Sequence, residues 1–131
     1  MRSAIIRNRP RAKQLLAFDG LQWGKCKPTD MDFSIDFQGK FYIFGELKGA
    51  MTPLTVGQRI HMQGLVKGLV SGGLQAIAFL AHHNTPETNE DVNVAESTVH
   101  SYFNGVKWLP VGDGTTTEAF ITKLYIEYQE R

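Results

Sequence analysis

The sequence predicts an α/β domain built on a mixed central sheet flanked by helices, and three observations carry that prediction. An alternating run, 33–37, and a second, largely apolar run, 41–47, flank Gln38-Gly39-Lys40 and read as a β-hairpin. A helix-spaced segment, 55–70, then leads through Ser71-Gly72-Gly73 into the apolar run 74–80, a strand–helix–strand order that favours a parallel crossover. Last, a second hairpin around Asn104-Gly105 precedes an amphipathic C-terminal helix. Antiparallel hairpins joined to a parallel crossover make the sheet mixed. The chain has 131 residues, 42% of them hydrophobic, enough for one core and one domain spanning 1–131.

In chain order, residues 1–13 form a basic arm or helix, interrupted by Pro10. Residues 13–18 close a first helix that Gly20 stops, and 21–26 read as a first strand. In the helix at 55–70, Val56, Ile60, Leu65, Val66, Leu69 and Val70 are the apolar positions. Gly57, Gly64 and Gly68 weaken that helix, and suit close packing on the sheet or on a second subunit. The strand at 74–80 suits a buried position, and the polar stretch 82–93, with Pro86, reads as a loop. Residues 99–103 and 106–109 pair across Asn104-Gly105, a type I′ turn sequence. Thr115-Thr116-Thr117-Glu118 matches a capping box, followed by the stripe Phe120, Ile121, Leu124, Tyr125 and Tyr128, which closes the core or serves a dimer contact. The C-terminal hairpin and helix thus occupy 98–131, and no repeat or linker marks a second domain.

Composition narrows the functional classes. A net charge of +1 does not by itself argue for nucleic acid, yet Arg2, Arg7, Arg9, Arg11 and Lys13 all precede the first acid, Asp19, and Lys25 and Lys27 follow it closely. Such a cluster can neutralise phosphates, although each residue singly reads equally well as part of a solvated face. Cys26 is the lone cysteine, so no intramolecular disulfide forms and a reducing compartment fits. No apolar run reaches the roughly 18 to 20 residues of a membrane span, and the N-terminus lacks an apolar signal core, so the expected location is cytoplasmic, without a membrane partner.

The chemistry concentrates on the first hairpin. Alternation puts Asp30, Asp32, Ser34 and Asp36 on one face of the first strand, while Glu46 and Lys48 share a face of the second. Whether those faces coincide depends on the turn. Pairing Asp32 with Glu46 centres the turn on Gly39 and sets Asp30 opposite Lys48; a two-residue turn at Gln38-Gly39 would pair Phe37 with Lys40 and invert the faces. The site therefore requires a turn of three or more residues, or a bulge. With the faces aligned, two carboxylates converge in the hard oxygen environment that Mg²⁺ or Mn²⁺ prefers, with Lys48 beside them. That set suits phosphodiester hydrolysis, which needs an activated water and stabilisation of charge growing on phosphorus oxygens. The bland alternative is a solvated acidic strand face with an ordinary Glu46–Lys48 ion pair. Adjacent His82 and His83 point apart, and with Asn104 they do not form a histidine-centred nuclease motif. Tyr102, Phe103 and Trp108 read as packing residues, with base stacking as the alternative.

At these residues the sequence resembles the PD-(D/E)xK nuclease superfamily, whose pattern is an acid on one strand, a turn, then acid-x-Lys on the next. Pro28-Thr29-Asp30-Met31-Asp32 stands for the first part and Glu46-Leu47-Lys48 for the second. The segment from Gly49 through Thr52-Pro53-Leu54-Thr55 to Gln58-Arg59 is similar to the VRR-NUC branch, in which a glutamine matching Gln58 lies near the metal site. The resemblance covers about residues 15–81 and implies a restriction-endonuclease-like αβββαβ core. It implies that Asp32 and Glu46 bind metal together with the backbone carbonyl of Leu47, and that Lys48 is catalytic. The first motif holds two aspartates, so Asp30 is the alternative ligand, and spacing favours Asp32. The first thirteen residues hold no Glu or Asp, so the helical acid of some Holliday-junction resolvases is missing. The implied function is a Mg²⁺- or Mn²⁺-dependent deoxyribonuclease, structure-selective for branched DNA and acting as a homodimer in a bacterial or phage-infected cell. The alternatives are an exonuclease, or a non-catalytic nucleic-acid- or protein-binding module that keeps the fold.

Overall fold

The computed structural model describes residues 17–86 and 91–129. Arg7, Arg9, Arg11 and Lys13 of the basic arm lie outside the described residues. Five strands form one sheet in sequential order: β1 (Phe33–Phe37), β2 (Phe41–Gly49), β3 (Gln75–His83), β4 (Thr98–Phe103) and β5 (Trp108–Pro110). Helix α1 (Val56–Ser71) connects β2 to β3, which are parallel, and every other neighbouring pair is antiparallel. Helix α2 (Thr117–Gln129) follows β5. The architecture is therefore α/β with a mixed sheet. Among the described residues no helix is long and apolar enough to cross a membrane.

Each face of the sheet has its own core. On one face Phe41, Ile43, Ile77, Phe79 and Val99 pack with Phe120 of α2, joined by Phe33, Ile35 and Phe37 of β1 and by Ile121, Leu124 and Tyr128. Tyr125 completes that stripe through a ring contact with Phe37 at 5.5 Å. On the opposite face Met62 and Val66 of α1 cover Ala76, Ala78, Leu80 and Phe103. Burying a side chain as large as Phe79, which is wholly inaccessible, contributes about 2 to 3 kcal/mol.

The first hairpin adopts the register that brings the two acidic strands face to face. Phe33 lies opposite Gly45 and Phe37 opposite Phe41, so the same register continued one residue beyond β1 sets Asp32 opposite Glu46. The turn reconciles two requirements. Gln38 and Gly39 both take positive φ (59° and 75°) and the Lys40 N–H donates to the Phe37 carbonyl at 3.3 Å, yet Lys40 is left over as an extra residue before pairing begins. The Asp36 carboxylate accepts from the Gly39 N–H and steadies the bend.

Four expectations need correction. Residues 21–26 are not a strand: Trp23 and Cys26 exchange backbone bonds of 2.8 and 3.0 Å around Gly24, so the segment closes on itself and β1 has no outer neighbour among the described residues. Ala17 and Phe18 are not helical. The second hairpin is not a two-residue turn, because Phe103 pairs with Trp108 and Asn104 Oδ1 accepts from the N–H groups of Val106 (2.8 Å) and Lys107 (2.9 Å), which stretches the loop to four residues. At α2 the capping side chain is Thr116, whose Oγ1 accepts from the Ala119 N–H at 3.1 Å. The helix begins at Thr117, so Thr116 occupies the cap position and Thr115, whose carbonyl accepts from the Val99 N–H, lies one residue outside it.

The rotation of α1 also differs from its apolar spacing. Met62 and Val66 are buried, whereas Val56 and Ile60 are 75% and 63% exposed. Its sequence offers two apolar lines, and the capping box at the N-terminus, described below, selects the line through 58, 62, 66 and 69. The helix glycines do not serve close packing on the sheet, since a Cβ at Gly57, Gly64 or Gly68 would meet nothing within 4 Å. Gly45 is the opposite case: a Cβ there would fall within 3.0 Å of both the Phe33 and Phe79 rings, which meet edge-on above it. Gly64→Ala should therefore raise stability by about 0.5 to 1 kcal/mol in urea unfolding. Gly45→Ala should lower it by about 1 to 3 kcal/mol, because Phe33 must leave its place.

Candidate metal centre

Glu46 is the focus of the site. It lies on the α1 face near the C-terminal end of β2 and is only 5% exposed. A buried carboxylate must be held by donors, and two elements supply them. From the end of β1, the Asp32 N–H approaches Glu46 Oε2 at 3.4 Å. From α1, Gln58 Nε2 donates to Glu46 Oε1 at 3.1 Å. In return the Leu47 N–H donates to Asp32 Oδ2 at 2.7 Å, so each strand's backbone binds the other strand's carboxylate. Asp32 itself remains exposed, which leaves one carboxylate facing solvent beside one that is covered.

Gln58 has two tasks. Thr55 caps α1 by accepting the Gln58 N–H at 3.1 Å, and Gln58 Oε1 accepts the Thr55 N–H at 3.1 Å, a complete capping box. The amide nitrogen left over reaches Glu46. This arrangement fixes both the helix rotation and the carboxylate in one side chain.

The loop between β2 and α1 is tied down from β3. Ala50 adopts positive φ (49°), and its N–H donates to the His83 carbonyl at 2.8 Å. His82 pairs with Lys48 across the parallel ladder, and its Nε2 lies 2.8 Å from the Thr52 carbonyl. A carbonyl only accepts, so the Nε2 proton is fixed on that side. Strand β3 runs to His83, two residues into the stretch expected to be a loop. His83 Nδ1 accepts from the Thr85 N–H at 3.3 Å, and neither histidine is drawn to the carboxylates.

Lys48 is half-buried on the Glu46 face, and its ammonium favours the charged form of that carboxyl. The hydrogen bonds of Glu46 come from the Asp32 N–H and from Gln58, so the carboxylate is built into the fold and is not half of a simple surface pair with Lys48. Asp30 lies exposed before β1; of the two aspartates, Asp32 is the one hydrogen-bonded into the site. Lys25 and Lys27 are exposed on either side of Cys26, at the closed turn that precedes β1. Among the described residues no three His, Cys, Asp or Glu side chains gather as a ready-made metal cluster. A cation here would therefore be held by the Asp32 and Glu46 carboxylates, completed by backbone oxygen and water, which is how Mg²⁺ is commonly bound. The electrostatics fit such a guest. Burial and the neighbouring Asp32 charge push the Glu46 carboxyl up from 4.5 to about 7, against the opposing pull of the Asp32 N–H and the Lys48 ammonium. A cation beside these two carboxylates would stabilise their charged forms.

Reading by pattern alone passed over Thr55, His82 and Gly45. The Thr-x-x-Gln spacing at 55–58 carried the capping signal for the first. No local signal exists for the other two, whose roles arise from neighbours distant in the chain. Comparison of the chain with protein-family models, curated proteins and solved structures gives no match.

The raised carboxyl has a stability consequence. The neutral form of Glu46 is the one the metal-free fold favours, so its contribution is complete below the ordinary value of 4.5, declines as pH rises, and is lost above about 7. In EDTA, the thermal midpoint should fall as pH rises from about 5 to 8. Glu46→Gln should flatten that dependence, as followed by circular dichroism.

Proposed function

We propose that this chain is a Mg²⁺- or Mn²⁺-dependent deoxyribonuclease of the PD-(D/E)xK type, acting as a structure-selective endonuclease on branched DNA. The observation that carries the reading is the meeting of Asp32, Glu46 and Lys48 on one face at one end of the sheet, with Gln58 bonded to Glu46. The path from β1 through α1 to β3 supports a core of the restriction-endonuclease kind, although residues 21–26 do not supply its first strand.

In this reading Asp32 and Glu46 hold the cation, with the Leu47 carbonyl as a further ligand. The bound ion supplies Lewis acidity and an activated water. Gln58 orients Glu46 through its amide, and the capped helix keeps Gln58 in place. The Lys48 ammonium, on the same face as Glu46, orients water or stabilises charge on the phosphate. Burial of Glu46 excludes water from one side of the pair while the exposed Asp32 leaves the other side open to a large substrate.

A homodimer suits a domain of this size, because one copy offers little surface for holding a duplex. A lone, exposed Cys26 and a DNA substrate together favour the cytoplasm of a bacterial or phage-infected cell.

The test is cleavage of labelled duplex, single-stranded and four-way-junction DNA with Mg²⁺, Mn²⁺ or EDTA. Cutting should require the ion, and Lys48→Ala should lower turnover about 10²-fold or more. Glu46→Gln should abolish it while the fold persists. Failure to cut any substrate with either ion, with DNA binding retained, would leave a non-catalytic binding module; cutting confined to free ends would make the enzyme an exonuclease. A direct check of the carboxylate pair is the thermal midpoint at pH 8, which Mn²⁺ should raise in the wild type and not in Glu46→Gln.

A further inference from the structure

Helix α1 is unusual in its charges. Its sixteen residues include Arg59 and Lys67 and no acid, so neither cation has a carboxylate three or four residues away. Each lies against an aromatic ring: the Arg59 guanidinium is 5.1 Å from the Trp108 ring centroid and the Lys67 ammonium 5.9 Å from that of Phe103. The two rings are themselves in contact, 5.7 Å apart, on the paired ends of β4 and β5. Lys107, exposed beside Trp108, adds a third cation from the hairpin.

An aromatic platform holds a long cationic side chain extended without neutralising it. Such a side chain loses less conformational freedom when an anion arrives, and a guanidinium suits phosphate geometry. Arg59 and Lys67 are eight positions apart, about 12 Å along the helix axis, whereas phosphates on one strand of a duplex advance about 3.4 Å each. The cations thus span several nucleotides. Arg59 follows Gln58 in the chain, so the row starts at the same end of α1 as the residue bonded to Glu46, with Gln58 turned toward β2 and Arg59 toward β5.

We propose that Arg59, Lys67 and Lys107 form a track for the phosphodiester backbone of DNA, leading from the carboxylate pair along α1 and the β4–β5 hairpin. This inference rests on the nuclease reading for its substrate, but its test does not depend on cleavage. Binding of fluorescent duplex and junction DNA by the full chain in EDTA is measured across salt concentrations for the wild type, Arg59→Gln, Lys67→Gln and Lys123→Gln. The last removes an exposed cation from α2, on the opposite face of the sheet.

Each substitution in the track should weaken binding about tenfold at 0.1 M salt and reduce the slope of log affinity against log salt by about 1, while Lys123→Gln changes neither. A weaker affinity with an unchanged slope would assign Arg59 and Lys67 to packing and overturn the track. Wild-type affinity and slope in both variants would overturn it too, leaving the metal-centre reading untouched. Absence of DNA binding by the unsubstituted chain would overturn both. Thermal midpoints of the variants within a few degrees of wild type exclude loss of folding as the cause.

Discussion

A carboxylate buried where a sheet meets a helix is the constraint around which this molecule is arranged. Glu46 cannot be taken from water without donors, and those it finds come from two different elements: the backbone at the end of β1 and the side chain that caps α1. Holding it therefore fixes the strand pairing and the helix rotation together. The wholly apolar packing of Met62 and Val66 against β3 follows from that rotation, as does the exposure of Val56 and Ile60. Even the loop between β2 and α1 is recruited, with His82 and His83 binding its backbone from the neighbouring strand.

The two faces of the sheet divide the labour. The face under α2 carries an aromatic core in which Phe33, Phe79 and Phe120 interlock, and it has no part in the polar site. The face under α1 carries smaller residues at Ala76 and Ala78, which let the helix lie close to the sheet and bring its N-terminus within hydrogen-bonding reach of Glu46. Gly45 joins the two: it gives up its side chain so that Phe33 can cross it on the apolar side, one residue before the carboxylate that points to the other. The raised protonation point of Glu46 belongs to this same geometry, because the covering that makes the helix stable is also what deprives the carboxylate of solvent.

Local pattern made much of this legible. Alternation at 33–37 and the run at 41–47, with the need to face Asp32 toward Glu46, called for a turn longer than two residues, and the extra Lys40 provides it. The helix at 55–70 and the strand after Ser71-Gly72-Gly73 were readable from spacing and punctuation. What escaped was set by partners far away in the chain. Apolar spacing along α1 was ambiguous between two lines, and the choice was made by Gln58 meeting a residue twelve positions earlier. Leu21, Trp23 and Cys26 have strand-like composition, but their backbone bonds closed locally around Gly24 and left no ladder to extend. At Asn104-Gly105 the asparagine side chain competed for backbone donors and lengthened the loop, a contest that composition alone does not decide.

The register of the first hairpin also limits how this chain can change over time. Loops at strand ends ordinarily tolerate gain or loss of a residue with little penalty, and the turn is such a place: without Lys40, Gln38 and Gly39 already have the positive φ that lets two residues close Phe37 onto Phe41. Gain or loss of one residue inside β1 or β2 is different, since it would carry Asp32 or Glu46 across to the aromatic side of the sheet. In any lineage descended from this sequence, the lengths of the two strands should drift less than the turn that joins them.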